Sequence, residues 1–298
     1  MTLLAQISDP HLGPLPSVRL RQLVSKRAFG YFNWRSNRLH AFDDKVLTAL
    51  TADLRAEKPD HIAVTGDLVN IGLPPEFDTA LAWLHTLGAP RDVTVIPGNH
   101  DAYVASAVAH FSTKWLPFAN GDHPNETMAF PFVRRRGNLA LIGMSTAIPT
   151  APLMATGRVS RAEADALATA LAETGREGLC RVVLIHHPIG KGDAIRTRRL
   201  IGARHVREVI ARHGAELVLH GHNHRTSVRT VDGPDGTKVP VVGAAAAAAL
   251  PHGSNPGAAY NLFRIEGSAP PYRIEMTERG LTSDGCSGTR SHHILAGA

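Results

Sequence analysis

The chain has 298 residues, 43% of them hydrophobic, which is enough for one large core. A formal net charge of +6 at pH 7 favours anionic partners without naming one. Only two cysteines occur, Cys180 and Cys286, so a disulfide framework is excluded. No apolar run is long enough for a membrane span, and the chain opens on a strand pattern without signal-peptide features. We therefore expect a cytoplasmic protein.

In chain order, short apolar runs alternate with segments of helical spacing. The apolar runs predict strands at Leu3–Ile7, His61–Thr65, Val93–Ile96, Leu139–Met144, Arg181–Ile185, Glu216–Leu219, Val239–Val242, Tyr260–Ile265 and Tyr272–Met276. The helical spacing predicts helices at Asp43–Glu57, Glu76–Leu87, Val104–Leu116, Arg161–Glu173 and Arg204–His213. A polar loop is expected at Asn120–Glu126 and a hairpin turn at Gly137–Asn138. This order predicts an α/β (α+β) fold with two sheets.

Polar side chains follow five of these strands at their carboxyl ends, where open α/β sheets place their sites. They are Asp9 and His11, Asp67, then Asn99, His100 and Asp101, then His186, and last His222 and His224. Each group alone also suits an ordinary turn, since Asp and Asn favour turns. Five such groups at successive strand ends are difficult to explain as coincidence.

Carboxylate, amide and imidazole ligands without thiolate suit hard or borderline divalent metals. Seven candidate ligands are too many for one ion and about right for two that share a bridging carboxylate. Ions roughly 3.5–4 Å apart can clamp the attacking and leaving oxygens of an in-line displacement. Two dications facing only Asp9, Asp67 and a bridging hydroxide keep a net positive charge, which favours an anion such as phosphate.

The blocks Asp9-x-His11, Gly66-Asp67, Gly98-Asn99-His100-Asp101, His186 and Gly221-His222-x-His224 resemble the signature of calcineurin-like metallophosphoesterases. All five stand in the family's order. Their spacing is most similar to class III cyclic nucleotide phosphodiesterases and related glycerophosphodiesterases. The resemblance implies a four-layer αββα sandwich of two mixed sheets flanked by helices, with the dimetal site at the strand ends.

The resemblance also implies a role for each residue. One metal takes Asp9, His11, Asp67 and His224, and the other takes Asp67, Asn99, His186 and His222, with Asp67 as the bridge. His100 faces the substrate and donates to the phosphoryl or leaving oxygen, and Asp101 orients His100. His187 and His220 match no ligand position, so we expect them to support the site or pack in the core. Iron, manganese and zinc all occur in the family, so the two divalent or trivalent ions stay unidentified.

The leading hypothesis is a phosphoric ester hydrolase that cleaves a small phosphodiester, with 3′,5′-cyclic nucleotides among the candidates. A metal-bridging hydroxide attacks in line, and no covalent enzyme intermediate is needed. The rivals on the same scaffold are a nucleotide-sugar or lipid pyrophosphatase of the UDP-diacylglucosamine type and a phosphomonoesterase. A non-catalytic scaffold fits less well, because such relatives lose ligands that this chain keeps. Nuclease activity is weaker still, since no nucleic-acid module is recognisable.

Residues 13–40 carry six cations and no acid, with aromatic residues interleaved. This stretch is either a solvated basic hairpin or a cap over the site, in which Trp34 and Arg35 contact the substrate beside Asn99 and His100. The aromatics suit base stacking or insertion at a lipid headgroup layer, so peripheral membrane contact is one option. We predict a metallophosphoesterase domain over 1–280 and a disordered tail over 281–298. A homo-oligomer is compatible with the sequence.

Overall fold

The computed structural model describes residues 1–122, 126–282 and 287–297. Its helices are α1 (Arg27–Asn33), α2 (Leu39–Ala41), α3 (Asp44–Ala56), α4 (Pro74–Leu87), α5 (Ala105–Lys114), α6 (Arg161–Arg176) and α7 (Ala203–His213). Its strands are β1 (Thr2–Ile7), β2 (His61–Val64), β3 (Val93–Val95), β4 (Phe132–Arg136), β5 (Leu139–Gly143), β6 (Gly157–Arg158), β7 (Cys180–Leu184), β8 (Leu200–Ile201), β9 (Leu217–His220), β10 (Ser227–Asp232), β11 (Lys238–Gly243), β12 (Ala259–Glu266), β13 (Arg273–Leu281) and β14 (Ser287–Ala296).

The strands form two six-stranded mixed sheets and a short pair. The first sheet has the order β14-β13-β12-β1-β2-β3, and the second has the order β10-β11-β9-β7-β5-β4. β1, β2 and β3 are parallel, as are β5, β7, β9 and β11. Parallel strands need crossover connections, which the helices supply. The carboxyl ends that carry the predicted polar groups therefore meet along one edge of each sheet.

The second sheet separates two apolar layers because its side chains alternate between its faces. Val182 and Leu184 pack into the core between the sheets, together with Leu4 and Ala63 of the first sheet. Val183 faces the other way, into a second core formed with α6 and α7. α3, α4 and α5 contribute their buried side chains to the core of the first sheet. The predicted sandwich of two mixed sheets flanked by helices is confirmed.

Local signals account for several boundaries. Ser160 caps α6: its Oγ accepts from the Glu163 N–H at 3.2 Å, and the Glu163 carboxylate accepts from the Ser160 N–H at 2.7 Å. Asp43 caps α3 in the same way through the Lys45 N–H at 2.7 Å. The hairpin turn at Gly137–Asn138 joins β4 to β5 as predicted.

The carboxyl-terminal tail differs from the prediction. Ser287–Ala296 forms β14, which pairs antiparallel with β13 along the edge of the first sheet. The polar, Gly-rich composition of this segment predicted disorder. The structure instead stabilises it by backbone hydrogen bonds to β13, which composition alone does not reveal. The part of the predicted tail at 283–286 and 298, and 123–125 of the predicted polar loop, lie outside the described residues.

Within the described ranges, none of the helices combines the length and the apolar character that crossing a membrane requires.

Candidate metal centre

The loops that follow β1, β2 and β3 are joined to one another by backbone hydrogen bonds. The Asp9 N–H donates to the Gly66 carbonyl at 3.0 Å, and the His11 N–H donates to the Asp67 carbonyl at 3.2 Å. The second sheet meets this edge through Gln6, whose side-chain amide donates to the His220 carbonyl at 2.9 Å. The loops of both sheets therefore hold their polar side chains on one shared surface.

Two groups of side chains each bring one candidate ligand atom per residue within 4.8 Å of one another. The first group is Asp9, His11, Asp67 and His224, and the second is Asp67, His186 and His222. Asp67 belongs to both. Asn99 adjoins the second group, because its Oδ1 lies 2.8 Å from His222 Nδ1 and 3.3 Å from His186 Nε2. The structure thus brings together all seven residues that the sequence predicted.

The imidazole rings are oriented by backbone carbonyls. His11 Nδ1 donates to Val69 O at 3.2 Å, and His186 Nδ1 donates to Thr65 O at 2.7 Å. His222 donates through its other nitrogen, Nε2, to Arg198 O at 2.9 Å. Each ring therefore turns a lone pair inward, at Nε2, Nε2 and Nδ1 respectively, as metal-binding histidines do.

Three close approaches bring the candidate ligand atoms together. His11 Nε2 lies 3.2 Å from His224 Nε2, and His224 Nε2 lies 3.3 Å from Asp9 Oδ1. His186 Nε2 lies 3.4 Å from Asp67 Oδ2. Imidazole nitrogens and carboxylate oxygens at these separations are close enough for one cation to contact several of them at once. The donor set therefore fits two divalent ions that share Asp67.

Burial and charge act on the protonation of these groups. Burial lowers the pKa of His11 well below its usual value and that of His222 to about 3, so both rings are neutral, as ligands must be. Burial also disfavours the protonated form of the His186 ring, but the facing Asp67 carboxylate raises the pKa of His186 to about 9. Burial alone would raise the pKa of Asp67, yet the imidazoles of His186 and His100 hold it well below its usual range. The centre is an ionised carboxylate facing imidazoles, which a cation completes.

The backbone at these positions is unusual. Asp9, His11, Asp67, His222 and His224 have φ values of 50°, 42°, 57°, 70° and 56°, in the left-handed region that L-residues seldom adopt. This conformation costs of order 1 kcal/mol or more at each residue. The surrounding structure maintains it, and the side chains are thereby turned toward a common centre.

Two glycines permit the loops to approach. A Cβ on Gly66, whose φ is +97°, would lie 2.7 Å from His186 Nδ1. A Cβ on Gly98 would lie 2.2 Å from Asp67 Oδ1. The glycine before Asp67 therefore makes room for the His186 ring.

Asp101 has a different role from the one that the resemblance implied. Its buried carboxylate accepts hydrogen bonds from four backbone N–H groups, those of Asp67 at 2.8 Å, Leu68 at 2.9 Å, Val69 at 3.1 Å and Gly98 at 2.7 Å. These bonds use the carboxylate, and it makes none to the His100 ring. Asp101 is therefore a positioning residue for the loop that carries Asp67, and the expectation that it orients His100 is wrong.

His100 is oriented instead by Asn70, which the sequence analysis missed. His100 Nδ1 donates to Asn70 O at 2.5 Å, which leaves Nε2 as the ring atom turned to the pocket. Buried Glu76 holds the Asn70 loop by accepting from the N–H groups of Asn70 at 2.5 Å and Leu73 at 2.7 Å. Because the acceptor is a backbone carbonyl, the residue type at position 70 gave no signal for this contact.

A pocket of about 500 Å³ opens over the centre. Asp67, Asn99, His100, His222 and His224 line its floor, and α1 with the turn after it closes one side through Lys26, Phe29, Asn33, Asn37 and Arg38. Part of the 13–40 stretch thus forms one wall of the pocket, which favours the cap over the solvated hairpin; contact of the cap with a substrate stays a prediction. A larger cavity of about 820 Å³ lies beside α7, but none of the candidate ligands lines it.

The two cap residues chosen from the sequence do not line this pocket. Arg35 is exposed, and Trp34 stacks on Tyr31 with ring centroids 6.5 Å apart. Trp34 lines a neighbouring cavity of about 560 Å³, which shares Arg38 and Phe42 with the site pocket. The residue that enters the site is Arg38. The composition of the sequence indicates a basic segment. Which of its arginines points into the pocket depends on the position of each residue around the helix, and that is not visible from composition.

His187 and His220 are supporting residues, as predicted. His187 Nδ1 lies 2.7 Å from Thr146 Oγ1, Nε2 lies 3.1 Å from Ala155 O, and its ring packs 4.3 Å from that of His222. His220 is buried and its Nδ1 lies 2.9 Å from the Gly221 carbonyl. Neither residue belongs to the two groups of candidate ligands.

Comparison with known proteins agrees with this geometry. A family model described as calcineurin-like phosphoesterase matches residues 2–226. This chain belongs to the calcineurin-like phosphoesterase family.

Among curated proteins, a glycerophosphodiester phosphodiesterase, GpdQ, from Enterobacter lignolyticus is 36% identical over 77 residues. That match covers 24% of this chain and 26% of the relative, so it spans about a quarter of the relative's length. Among solved structures, a dimetal phosphatase from Danio rerio superposes with a TM-score of 0.62 at 13% identity, covering 97% of this chain and 98% of that one. A purple acid phosphatase, PPD1, from yellow lupin (Lupinus luteus) seeds gives a TM-score of 0.61 at 12% identity, covering 98% and 53%. At these identities the two structures support the fold alone.

Proposed function

We propose that this protein is a metal-dependent phosphoesterase that hydrolyses a small phosphodiester. The observation that carries the proposal is the convergence of seven candidate ligands around the shared Asp67, beneath a pocket lined by cations. Asp9, His11, Asp67 and His224 would hold one ion, and Asp67, Asn99, His186 and His222 the other. When bound, such a pair supplies Lewis acidity toward the phosphoryl oxygens and an activated water at neutral pH.

The chain's own residues then bind and orient the ester. His100 presents Nε2 to the pocket because Asn70 O fixes Nδ1. In the protonated ring, Nε2 would carry a proton in addition to the one that Nδ1 donates to Asn70 O. That proton would go to the leaving oxygen, which would contribute roughly 10²–10⁴-fold to the rate. Lys26 and Arg198 add positive charge to the pocket wall, which suits an anionic substrate.

A hydrolysis panel tests the reaction and its substrate class. We would compare cyclic nucleotides, glycerophosphodiesters, bis-p-nitrophenyl phosphate and the monoester p-nitrophenyl phosphate, with and without chelator. The proposal expects diester cleavage that a chelator removes and that added manganese or zinc restores. The partial likeness to a glycerophosphodiester phosphodiesterase makes glycerophosphodiesters the first substrates to try. Monoester cleavage alone would overturn the diester assignment, and activity that survives chelation would overturn the metal dependence.

Hydrolysis of a lipid-linked phosphoester or pyrophosphate is a second candidate, favoured by the apolar rim of the pocket. Leu20 is 86% exposed, Val24 85%, Phe32 67% and Leu153 83%. Phe29 and Leu153 line the pocket itself. Exposed apolar side chains beside a segment with six cations and no acid suit an anionic lipid surface.

Vesicle sedimentation separates the two candidates. With vesicles of phosphatidylglycerol and phosphatidylcholine, the lipid candidate expects salt-sensitive binding that Leu20→Ser with Phe32→Ser abolishes. Ile294→Ser is the matched control, because Ile294 is an exposed apolar residue outside the cap. Absence of binding would leave the soluble diester as the proposed substrate.

A further inference from the structure

Arg38 reaches from the cap into the site and contacts both His100 and His11. Its Nη2 lies 2.9 Å from His100 Nε2, and its Nη1 lies 3.0 Å from His11 Nδ1. Nη1 also lies 3.5 Å from Asn70 Oδ1. The side chain enters from a π-type turn at Trp34–Arg38, a helix irregularity that is frequent at functional sites. The guanidinium is thus held against the ring atom that faces the pocket.

The cap that carries Arg38 is packed onto the domain rather than solvated. Arg27 donates to the carbonyls of Ile71 at 3.1 Å and Gly72 at 2.5 Å. Lys26 donates to Thr150 Oγ1 at 2.6 Å and to Met154 O at 2.8 Å. These contacts fix α1 on both sides of the pocket, so the entry point of Arg38 is set by the fold.

Gly30 allows the cap to lie this close. A Cβ at Gly30 would come within 2.4 Å of Tyr103 Oη and 2.7 Å of an Ile71 methyl. Tyr103 in turn stacks on His100 with ring centroids 5.3 Å apart. The cap helix therefore packs on Tyr103, and Tyr103 packs on His100. The position of Arg38 depends on both of these contacts.

Within the part of the chain that the structure describes, Arg38 forms no ion pair with a carboxylate, although its guanidinium is half-buried. Its partners are two imidazoles and an amide. His11 Nδ1 already donates to Val69 O, so it is a poor acceptor for Arg38. Arginine offers five N–H donors in a fork that matches a phosphate in two-point geometry. A half-buried cation with unused donors at the wall of this pocket is therefore suited to bind an anion.

We propose that Arg38 is a catalytic, substrate-binding residue that donates to a non-bridging oxygen of the scissile phosphoryl group. This inference rests on the proposed phosphoesterase function and names the cap residue that completes its site. The phosphoryl oxygen takes the place of the weak imidazole contacts of the guanidinium. Because charge on these oxygens changes during displacement, a fixed donor there stabilises the transition state as well as the bound substrate.

The test compares Arg38→Ala and Arg38→Lys with Arg35→Ala, which removes an exposed arginine of the same cap outside the pocket. The probe is inorganic phosphate, titrated calorimetrically into the metal-loaded protein, with metal content measured on each sample. Arg38→Ala is expected to weaken phosphate binding roughly 10–100-fold, the loss of a charge-assisted contact. Arg38→Lys keeps the charge and should recover part of the affinity, and Arg35→Ala should match wild type.

Turnover of bis-p-nitrophenyl phosphate provides the second readout. Arg38→Ala should lower kcat roughly 10²–10³-fold, as loss of a transition-state donor does, with two metals retained. Unchanged phosphate affinity in Arg38→Ala, or equal losses in Arg35→Ala, would overturn the inference. Loss of metal from both Arg38 variants would also overturn it, because the residue would then be structural. If wild type binds phosphate through Arg38 but hydrolyses no ester, the proposed function fails while the binding role stands.

Discussion

The carboxylate of Asp101 accepts a hydrogen bond from the backbone N–H of Asp67 at 2.8 Å. The same carboxylate reaches the Gly98 N–H at 2.7 Å, so one side chain joins the loop after β2 to the turn after β3. The candidate bridging ligand is thereby positioned by a residue that does not face the pocket. Asp67 would contact the metals, whereas Asp101 holds the loop that carries Asp67. Substitutions at the two positions should therefore have different effects on metal binding and on stability.

Asp101→Ala is expected to destabilise the protein and to disturb the centre. The change leaves four buried N–H groups without an acceptor, each of which costs about 1–3 kcal/mol when unsatisfied. We expect the free energy of unfolding to fall by about 3 kcal/mol or more. Urea denaturation of the metal-free protein measures it, with Asp78→Ala, an exposed carboxylate on α4, as the control. A stability equal to that of wild type would contradict the positioning role.

Metal analysis should find two ions per chain in carefully loaded wild-type protein. Asp67→Ala should lower the occupancy of both sites because Asp67 belongs to both ligand groups. His11→Ala should chiefly empty one site, since His11 belongs to only one group. His85→Ala, on α4, serves as the control. One ion or none in wild type would reject the dinuclear arrangement.

His100→Ala should lower kcat roughly 10²–10⁴-fold while both metals stay bound. The ring lies at the pocket and is fixed by Asn70 O, but it belongs to neither ligand group. Steady-state kinetics on a small diester, paired with metal analysis, separates the outcomes, and exposed His40→Ala is the control. Unchanged kcat would make His100 structural, and loss of an ion would make it a ligand.

Gly30→Val should dislodge the cap without unfolding the domain. The added side chain would overlap Tyr103 and Ile71, whereas the cores of the two sheets lie elsewhere. Activity on a small diester should then fall as it does in Arg38→Ala, with little change in the melting temperature. The two losses should not add in the double variant, because each removes the same guanidinium from the pocket. Additive losses would show that the cap contributes to the site without Arg38.

The sequence predicted the ligand set better than the residues that support it. Asp67 and His222 follow apolar strands, so strand periodicity assigns each of them to the carboxyl end of a strand. Arg38 and Asn70 could not be chosen this way, because their positions depend on a π-type turn and on a loop held by Glu76. The strand at Ser287–Ala296 was missed for a similar reason, since its partner β13 and not its own composition makes it a strand.

Five candidate ligands have a left-handed backbone: Asp9, His11, Asp67, His222 and His224. The conformation that turns them toward the metal centre therefore lowers the stability of the metal-free fold. Glycine adopts such a conformation at little cost, so a glycine at any of these positions would relieve strain in the metal-free chain. At His11, His222 and His224, whose side chains accept no backbone hydrogen bond among the described residues, glycine would make the metal-free protein more heat-resistant and at the same time delete a candidate ligand. A laboratory selection for thermostability alone would tend to dismantle the centre, and only a selection that also demands metal or turnover would preserve it.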